Sequence, residues 1–294
     1  MLNLFNPRTE ASIPTTLKIG GPAELLLQPR RFWEILRCCE VLEENGIPYR
    51  ILGGGSNLLV DDRGVKGVVV RPDWAPEELI IEGNRVEAPA GMELARLVRA
   101  AAEAGLSGLE FAAGIPGKVG GAVAMNAGWG GEEIGGAIRK VWIYCPGEGL
   151  FDLGRNECRF GYRKSRFQGS GEVILKVGLE LRSGDQGEIS ARTRAVLHRR
   201  KESLPLEYPS AGSIFKNPPG DYAGRLIEAA GLKGKRIGDA QISEKHANVI
   251  VNRGNAAFAD VRRLIDLARE EVKRQFGLSL GLEIKIWRKR PTVS

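Results

Sequence analysis

Residues 112–136 read AAGIPGKVGGAVAMNAGWGGEEIGG, and no helical or strand period runs through most of that length. Glycine weakens the interior of a helix or strand because it has so much backbone freedom to lose. One regular element across this passage is therefore excluded. A loop this long inside a compact domain is either functional or disordered. Its Ala, Val, Ile and Met residues argue against disorder, which goes with a poverty of apolar residues. A second cluster, Gly53-Gly54-Gly55-Ser56-Asn57, follows a strand-like YRIL at 49–52. Glycines let backbone amides approach an anion closely, so both clusters are candidate anion cradles, with tight turns as the alternative reading. Neither is a standard nucleotide motif. Gly117-Lys118 is followed by Val119 and Gly234-Lys235 by Arg236, and Gly114, Gly117 and Gly120 have the wrong spacing for GxGxxG.

The rest of the chain alternates helix and strand patterns. Residues 29–46, 92–105, 188–203, 221–231 and 260–277 read as helices, the fourth with Asp221 as N-cap. Strands are expected at 67–71, 141–144, 172–181, 247–252 and 282–287, and a hairpin over 78–91 turns at Gly83-Asn84. The basic helix at 188–203 is expected to start a new region after a boundary near Ser183-Gly184-Asp185.

At 294 residues there is room for two or three domains. No apolar run is long enough for a membrane span and the N-terminus lacks a signal pattern, so a cytoplasmic location is expected. The cysteines, Cys38, Cys39, Cys145 and Cys158, form no CxxC pair, and His198 and His246 are the only histidines. A disulfide scaffold and a metal centre are therefore not expected. The net charge of +7, with clusters at 199–201 and 288–290, suits either nucleic acid or small polyanions. No nucleic-acid motif is present, which leaves a small polyanion or simply solvated helix faces.

The stretch SAGSIFKNP, 210–218, wraps Ile214 and Phe215 in small and polar residues. It cannot be half of a plain helix or strand, and reads as a turn or as a loop presenting a hydroxyl, an ammonium and an amide to a ligand. Together with LGGGSNLLV (52–60), GLEFAAGIPGKVGGAVAMNAG (108–128), FGYRKSRF (160–167), AAGLKGKRIGDAQISEKHANVIVN (229–252) and LEIKIW (282–287), it resembles the UDP-N-acetylenolpyruvoylglucosamine reductases of bacterial cell-wall synthesis. The likeness spans most of the chain in six ordered blocks.

The resemblance implies an α+β fold. A two-lobed FAD-binding domain of the vanillyl-alcohol oxidase (PCMH) type would occupy 1–184, with lobes at about 1–75 and 76–184. A smaller α+β substrate-binding domain would occupy 185–294, its C-terminal strand contributing to the active site. The implied activity is NADPH-dependent, FAD-mediated reduction of an enolpyruvyl ether to UDP-N-acetylmuramate. FAD would be held without a covalent link, since neither histidine lies near a glycine block of the first domain. The implied cofactor residues are Gly53, Gly54, Gly55, Ser56, Asn57 and Leu58, with Gly114, Ile115, Pro116, Gly117, Val119, Gly120, Gly121, Asn126 and Gly128.

The implied catalytic residues are Ser213 as proton donor, Arg163 on the substrate carboxylate, and Glu283 orienting the substrate or its proton network. Alternation alone would make Glu283 a solvated residue, since Leu282, Ile284 and Ile286 share the other face of their strand. Tyr162 is expected beside the substrate and Lys216 beside Ser213. The short interval after Phe167 resembles the class lacking a tyrosine-bearing insertion, so Arg225, Asn217 and His246 are the candidates for covering the diphosphate. The expected partners are the substrate and NADPH, with no nucleic acid and no membrane, and the protein is expected to be a monomer. The rivals are an oxygen-using flavin oxidase of the same fold and a basic nucleotide- or RNA-binding protein.

Overall fold

Val173–Glu180 is apolar at nearly every position because it is the middle strand of a sheet covered on both faces. In the computed structural model, which describes residues 7–74 and 76–289, this antiparallel sheet runs Gly149–Gly154, Ile138–Cys145, Val173–Glu180, Arg85–Pro89, Ile80–Glu82. Val173 and Leu175, with Tyr144, pack on Ile35 and Cys39 of helix α1 (Phe32–Glu44). Val177 and Leu179 join the core that holds helices α2 (Leu94–Glu103) and α3 (Val119–Met125). A register shift between Trp142 and Ile143 lets one strand serve both cores, because one extra residue reverses the side-chain alternation. The hairpin expected at 78–91 forms, with Glu82 opposite Arg85 and Gly83 at φ 58°.

The passage 112–136 is more regular than expected. It contains α3, which ends at left-handed Asn126 (φ 46°), and a hairpin of Gly128–Trp129 with Glu132–Glu133. None of these pieces is long enough to show a period in sequence. The basic helix becomes α4 (Gln186–Ser203). Asp185 caps it by accepting the Glu188 N–H at 2.9 Å.

The described chain divides into two compact units: residues up to Thr9 with Leu25–Gly54 and Gly67–Arg199, and Glu10–Glu24 with Gly55–Lys66 and everything from Arg200. The division differs from a single boundary at 184/185. Ile189 and Val196 of α4 are buried, and Arg192 donates to Glu110 at 3.0 Å, which ties most of the helix to the first unit. Leu17, Ile19 and Leu59 are buried in the core of the second.

In the second unit an antiparallel sheet runs Ser210–Ser213, Val249–Asn252, Ala240–Ile242, Arg236–Ile237. Helices α5 (Ala223–Ala229) and α6 (Phe258–Phe276) cover it. Val261, Leu264, Ile265, Ala268 and Val272 form the buried stripe of α6, which stops at Gly277. Asp221 is not the N-cap of α5. That position is Tyr222, and the Ala223 N–H is taken instead by Asn217 Oδ1 at 3.0 Å. The last strand is shorter than expected, Lys285–Trp287, and pairs in parallel with Leu58–Val60. Arg290, of the basic cluster 288–290, lies outside the described residues. No helix among the described residues is long and apolar enough to cross a membrane.

Candidate active site

In the first unit the two glycine clusters meet backbone to backbone. A Cβ on Gly54 would stand 2.6 Å from the Gly117 Cα, too close for any side chain. A Cβ on Gly121 would meet nothing within 4 Å, so the space over that residue is open. The opening belongs to a cleft of about 190 Å³ whose wall includes Gly53, Gly120, Gly121, Phe167 and Lys118. Among the described residues no histidine or cysteine lines it. Bare backbone beside open space suits a ligand whose phosphates must lie against the main chain, so these residues fit a dinucleotide. Val119, Gly114, Ile115 and Pro116 build the turn leading into α3, with the Ile115 N–H donating to Ala112 O at 3.0 Å.

The carbonyls of Asn126 and Gly128 both meet Arg163. Arg163 sits at the tip of a turn closed by paired hydrogen bonds between Gly161 and Lys164, at 3.0 and 2.9 Å. Its φ of 51° is left-handed, a conformation costing roughly 1–2 kcal/mol for a residue other than glycine. Such a cost persists where the surroundings hold the residue in place, often at functional sites. Nη2 donates to Gly128 O at 2.7 Å, and Nη1 to Asn126 O at 3.3 Å and Glu133 Oε1 at 3.2 Å. The Asn126 amide donates to Glu133 Oε2 at 2.6 Å, fixing the carboxylate from its other side. Tyr162 is half exposed, its ring centroid 5.3 Å from the guanidinium carbon.

In the second unit Ser213 ends a strand bulged at Gly212, whose φ of 71° is left-handed. The stretch is thus an irregular edge strand, anchored by Ile214 and Phe215, which are 1% and 2% exposed. Asn248 clamps it. Its Oδ1 accepts the Phe215 N–H at 2.9 Å, its Nδ2 donates to Phe215 O at 2.8 Å, and its carbonyl accepts the Ile214 N–H at 2.8 Å. Asn248→Ala orphans both buried polar groups of Phe215, at ~1–3 kcal/mol each. Urea unfolding should show a loss of about 2–6 kcal/mol, and a change within about 0.5 kcal/mol would mean the clamp carries no load.

The strand edge runs beside the C-terminal segment: Glu283 N–H donates to Ile214 O, and Lys216 N–H to Gly281 O, each at 2.8 Å. Glu283 is thereby paired at the backbone with Ile214, the residue after Ser213. Asn57 completes the corner, its Nδ2 donating to Glu283 O at 3.1 Å and its carbonyl accepting the Lys285 N–H at 2.9 Å. Gly55 is left-handed, with φ 67°, and Leu58 begins the paired strand. Ser56 lies between them. Lys285 is held below the ordinary lysine pKa, first by desolvation and then by the charge of Lys216.

Each of the three diphosphate candidates has a partner within the protein. Asn217 holds the start of α5, and Arg225 Nε donates to Asp221 at 2.7 Å. His246 has its pKa lowered by burial, and its Nδ1 accepts the Asn248 N–H at 3.3 Å. Sequence reasoning missed Lys118, Glu133, Asn248 and Lys285. Glu133 lies in the glycine-rich passage and Asn248 in the HAN tripeptide, and nothing local in sequence marks either as a partner of Arg163 or Phe215.

An FAD binding domain is matched over residues 23–145, and a C-terminal domain of UDP-N-acetylenolpyruvoylglucosamine reductase over 204–287. The reductase of that name from Moorella thermoacetica is 49% identical over 93% of this chain and 90% of its own length. The chain belongs to the UDP-N-acetylenolpyruvoylglucosamine reductase family. As a member of the family it is an oxidoreductase. A second reductase, from Symbiobacterium thermophilum, is 44% identical over 94% of this chain and 90% of its own. The crystal structure of the Thermus caldophilus reductase superposes with a TM-score of 0.80 at 40% identity, covering 96% of this chain and 99% of that one. The α+β fold expected from the resemblance is the one the family has: an FAD-binding domain with a reductase C-terminal domain.

Proposed function

We propose that the protein reduces the enolpyruvyl ether of UDP-N-acetylglucosamine enolpyruvate to UDP-N-acetylmuramate, for peptidoglycan synthesis. It would do so as a cytoplasmic monomer, with no nucleic-acid or membrane partner. The observation that carries the reading is the cleft walled by bare glycine backbone in the first unit. FAD is held there by Gly53, Gly54, Gly117, Gly120 and Gly121 without a covalent link, in keeping with a lining that holds no histidine or cysteine among the described residues. When bound, FAD supplies hydride to one carbon of the substrate double bond and is recharged by NADPH.

Hydride addition leaves enolate charge delocalised into the substrate carboxylate. Arg163 meets that charge with a planar, permanent cation already oriented by Glu133 and two carbonyls. Ser213 gives its hydroxyl proton to the other carbon, completing the addition of two hydrogens across the double bond. A serine hydroxyl is a weak acid, so a nearby cation must favour the alkoxide that it leaves, and Lys216, three residues on, is the candidate. Glu283, hydrogen-bonded through its backbone beside Ser213, orders the protons around it.

An anaerobic titration tests the reading: NADPH should bleach the flavin band and the enolpyruvyl substrate should restore it. In Arg163→Lys the bleaching should be unchanged and the restoration slowed about tenfold or more, since lysine keeps the charge without the two-pronged geometry. A wild-type restoration rate would remove Arg163 from the chemistry. Reoxidation by oxygen but not by the substrate would favour an oxidase.

A further inference from the structure

Lys118 stands at the head of the glycine pair Gly120-Gly121 and is 2% exposed, an enclosure rare for an ammonium. Nζ donates to Pro72 O at 2.7 Å and to Asp73 Oδ1 at 3.3 Å. Among the described residues no acceptor takes its third N–H, and Lys118 is one of the residues lining the cleft. Asp73 compensates it incompletely, being 44% exposed itself. A second cation adds to the imbalance, since the neighbouring Arg71 carries a buried Nε with no partner. Glu172, also on the cleft wall, is committed to an ion pair with Arg166. Burial outweighs Asp73 and pulls the Lys118 pKa below its ordinary value. An ammonium left short of counter-charge in an enclosed wall is stabilised when an anion arrives beside it.

We propose that Lys118 is the cation that answers the negative charge of the bound dinucleotide, contributing directly to its affinity through the pyrophosphate. This rests on FAD occupying the cleft. In oxidised FAD the isoalloxazine ring is neutral, so the pyrophosphate is where the charge lies. The competing role is structural, with Lys118 only tying the 72–73 turn to the glycine loop.

Two variants separate these roles, read by FAD titration of the flavin-stripped protein and not by turnover. Lys118→Met keeps length and packing but removes the charge, and the FAD Kd should rise about tenfold or more. Asp73→Asn breaks the tie while leaving the ammonium, and removes a negative charge from the site. Its FAD Kd should stay level or fall. If both variants weaken FAD alike, Lys118 is a tie and the proposal fails. Riboflavin, which has the ring without the pyrophosphate, should bind wild type and Lys118→Met equally, and an equal loss with both ligands would overturn the assignment to the pyrophosphate. Failure of the wild type to take up FAD would instead sink the cofactor reading itself. Wild-type FAD binding matched by Lys118→Met would sink only the role of Lys118.

Discussion

Ser213→Ala should leave a yellow, folded protein that accepts electrons from NADPH and almost fails to pass them to the substrate. The hydroxyl is expendable to the fold because the local backbone is held by other groups. Ile214 and Phe215 fill the core, Asn248 satisfies their polar atoms, and Glu283 donates its N–H to Ile214 O. Only the second half of the reaction needs a proton delivered to carbon. General acid catalysis is typically worth on the order of 10²–10⁴-fold, and reoxidation by the substrate should fall by at least that factor. Reduction by NADPH should stay within about a few-fold of wild type, since no carbon is protonated in that half. Rapid mixing under anaerobic conditions reads each half from the flavin band. Equal slowing of the two halves would make Ser213 a residue that positions the flavin, not one that donates a proton.

Gly121→Leu should give a protein that folds and is colourless. Beyond its own helix, a Cβ at Gly121 meets nothing within 4 Å among the described residues, so the leucine should enter the cleft without displacing a neighbour. The space it fills is the space that the cofactor needs. Flavin content after purification should drop to near zero, while the melting temperature of the flavin-free protein matches that of flavin-stripped wild type. Gly54→Leu should behave differently. Its Cβ would lie 2.6 Å from the backbone of Gly117, so stability and flavin are lost together. The sequence treats the two glycines alike, and only the contact geometry separates them. Wild-type flavin content in Gly121→Leu would place the cofactor outside the cleft.

Local patterns were legible wherever one element answers to one core. The 78–91 hairpin, the stripe of α6 and the glycine stops of α2 and α6 are all written in neighbouring residues. The apolar alternation of Leu282, Ile284 and Ile286 likewise matches their packing on the second core. What depends on distant residues was not legible. The Asp221 side chain takes the Tyr222 N–H and Arg225, leaving the start of α5 to Asn217, an exchange that spacing cannot reveal. The pairing of Arg163 with Glu133 crosses 30 residues of irregular chain. The burial of Lys118 is hidden too, because a lysine after Pro116-Gly117 reads as a surface turn. Ser213, Arg163 and Glu283 are expected from family blocks alone, and periodicity by itself leaves Glu283 in solvent.

The second unit cannot be made from one continuous piece of chain. Its parallel strand pair joins Leu58–Val60 to Lys285–Trp287, and Asn57 reaches Glu283 across 226 residues. A ribosome delivers the first partner long before the second, so Leu59 must wait through most of translation for the neighbours that bury it. Contacts so remote in sequence are slow to close and leave apolar strand edges open to other chains in the meantime. Nascent-chain proteolysis should therefore find this unit protected only after Trp287 has cleared the exit tunnel.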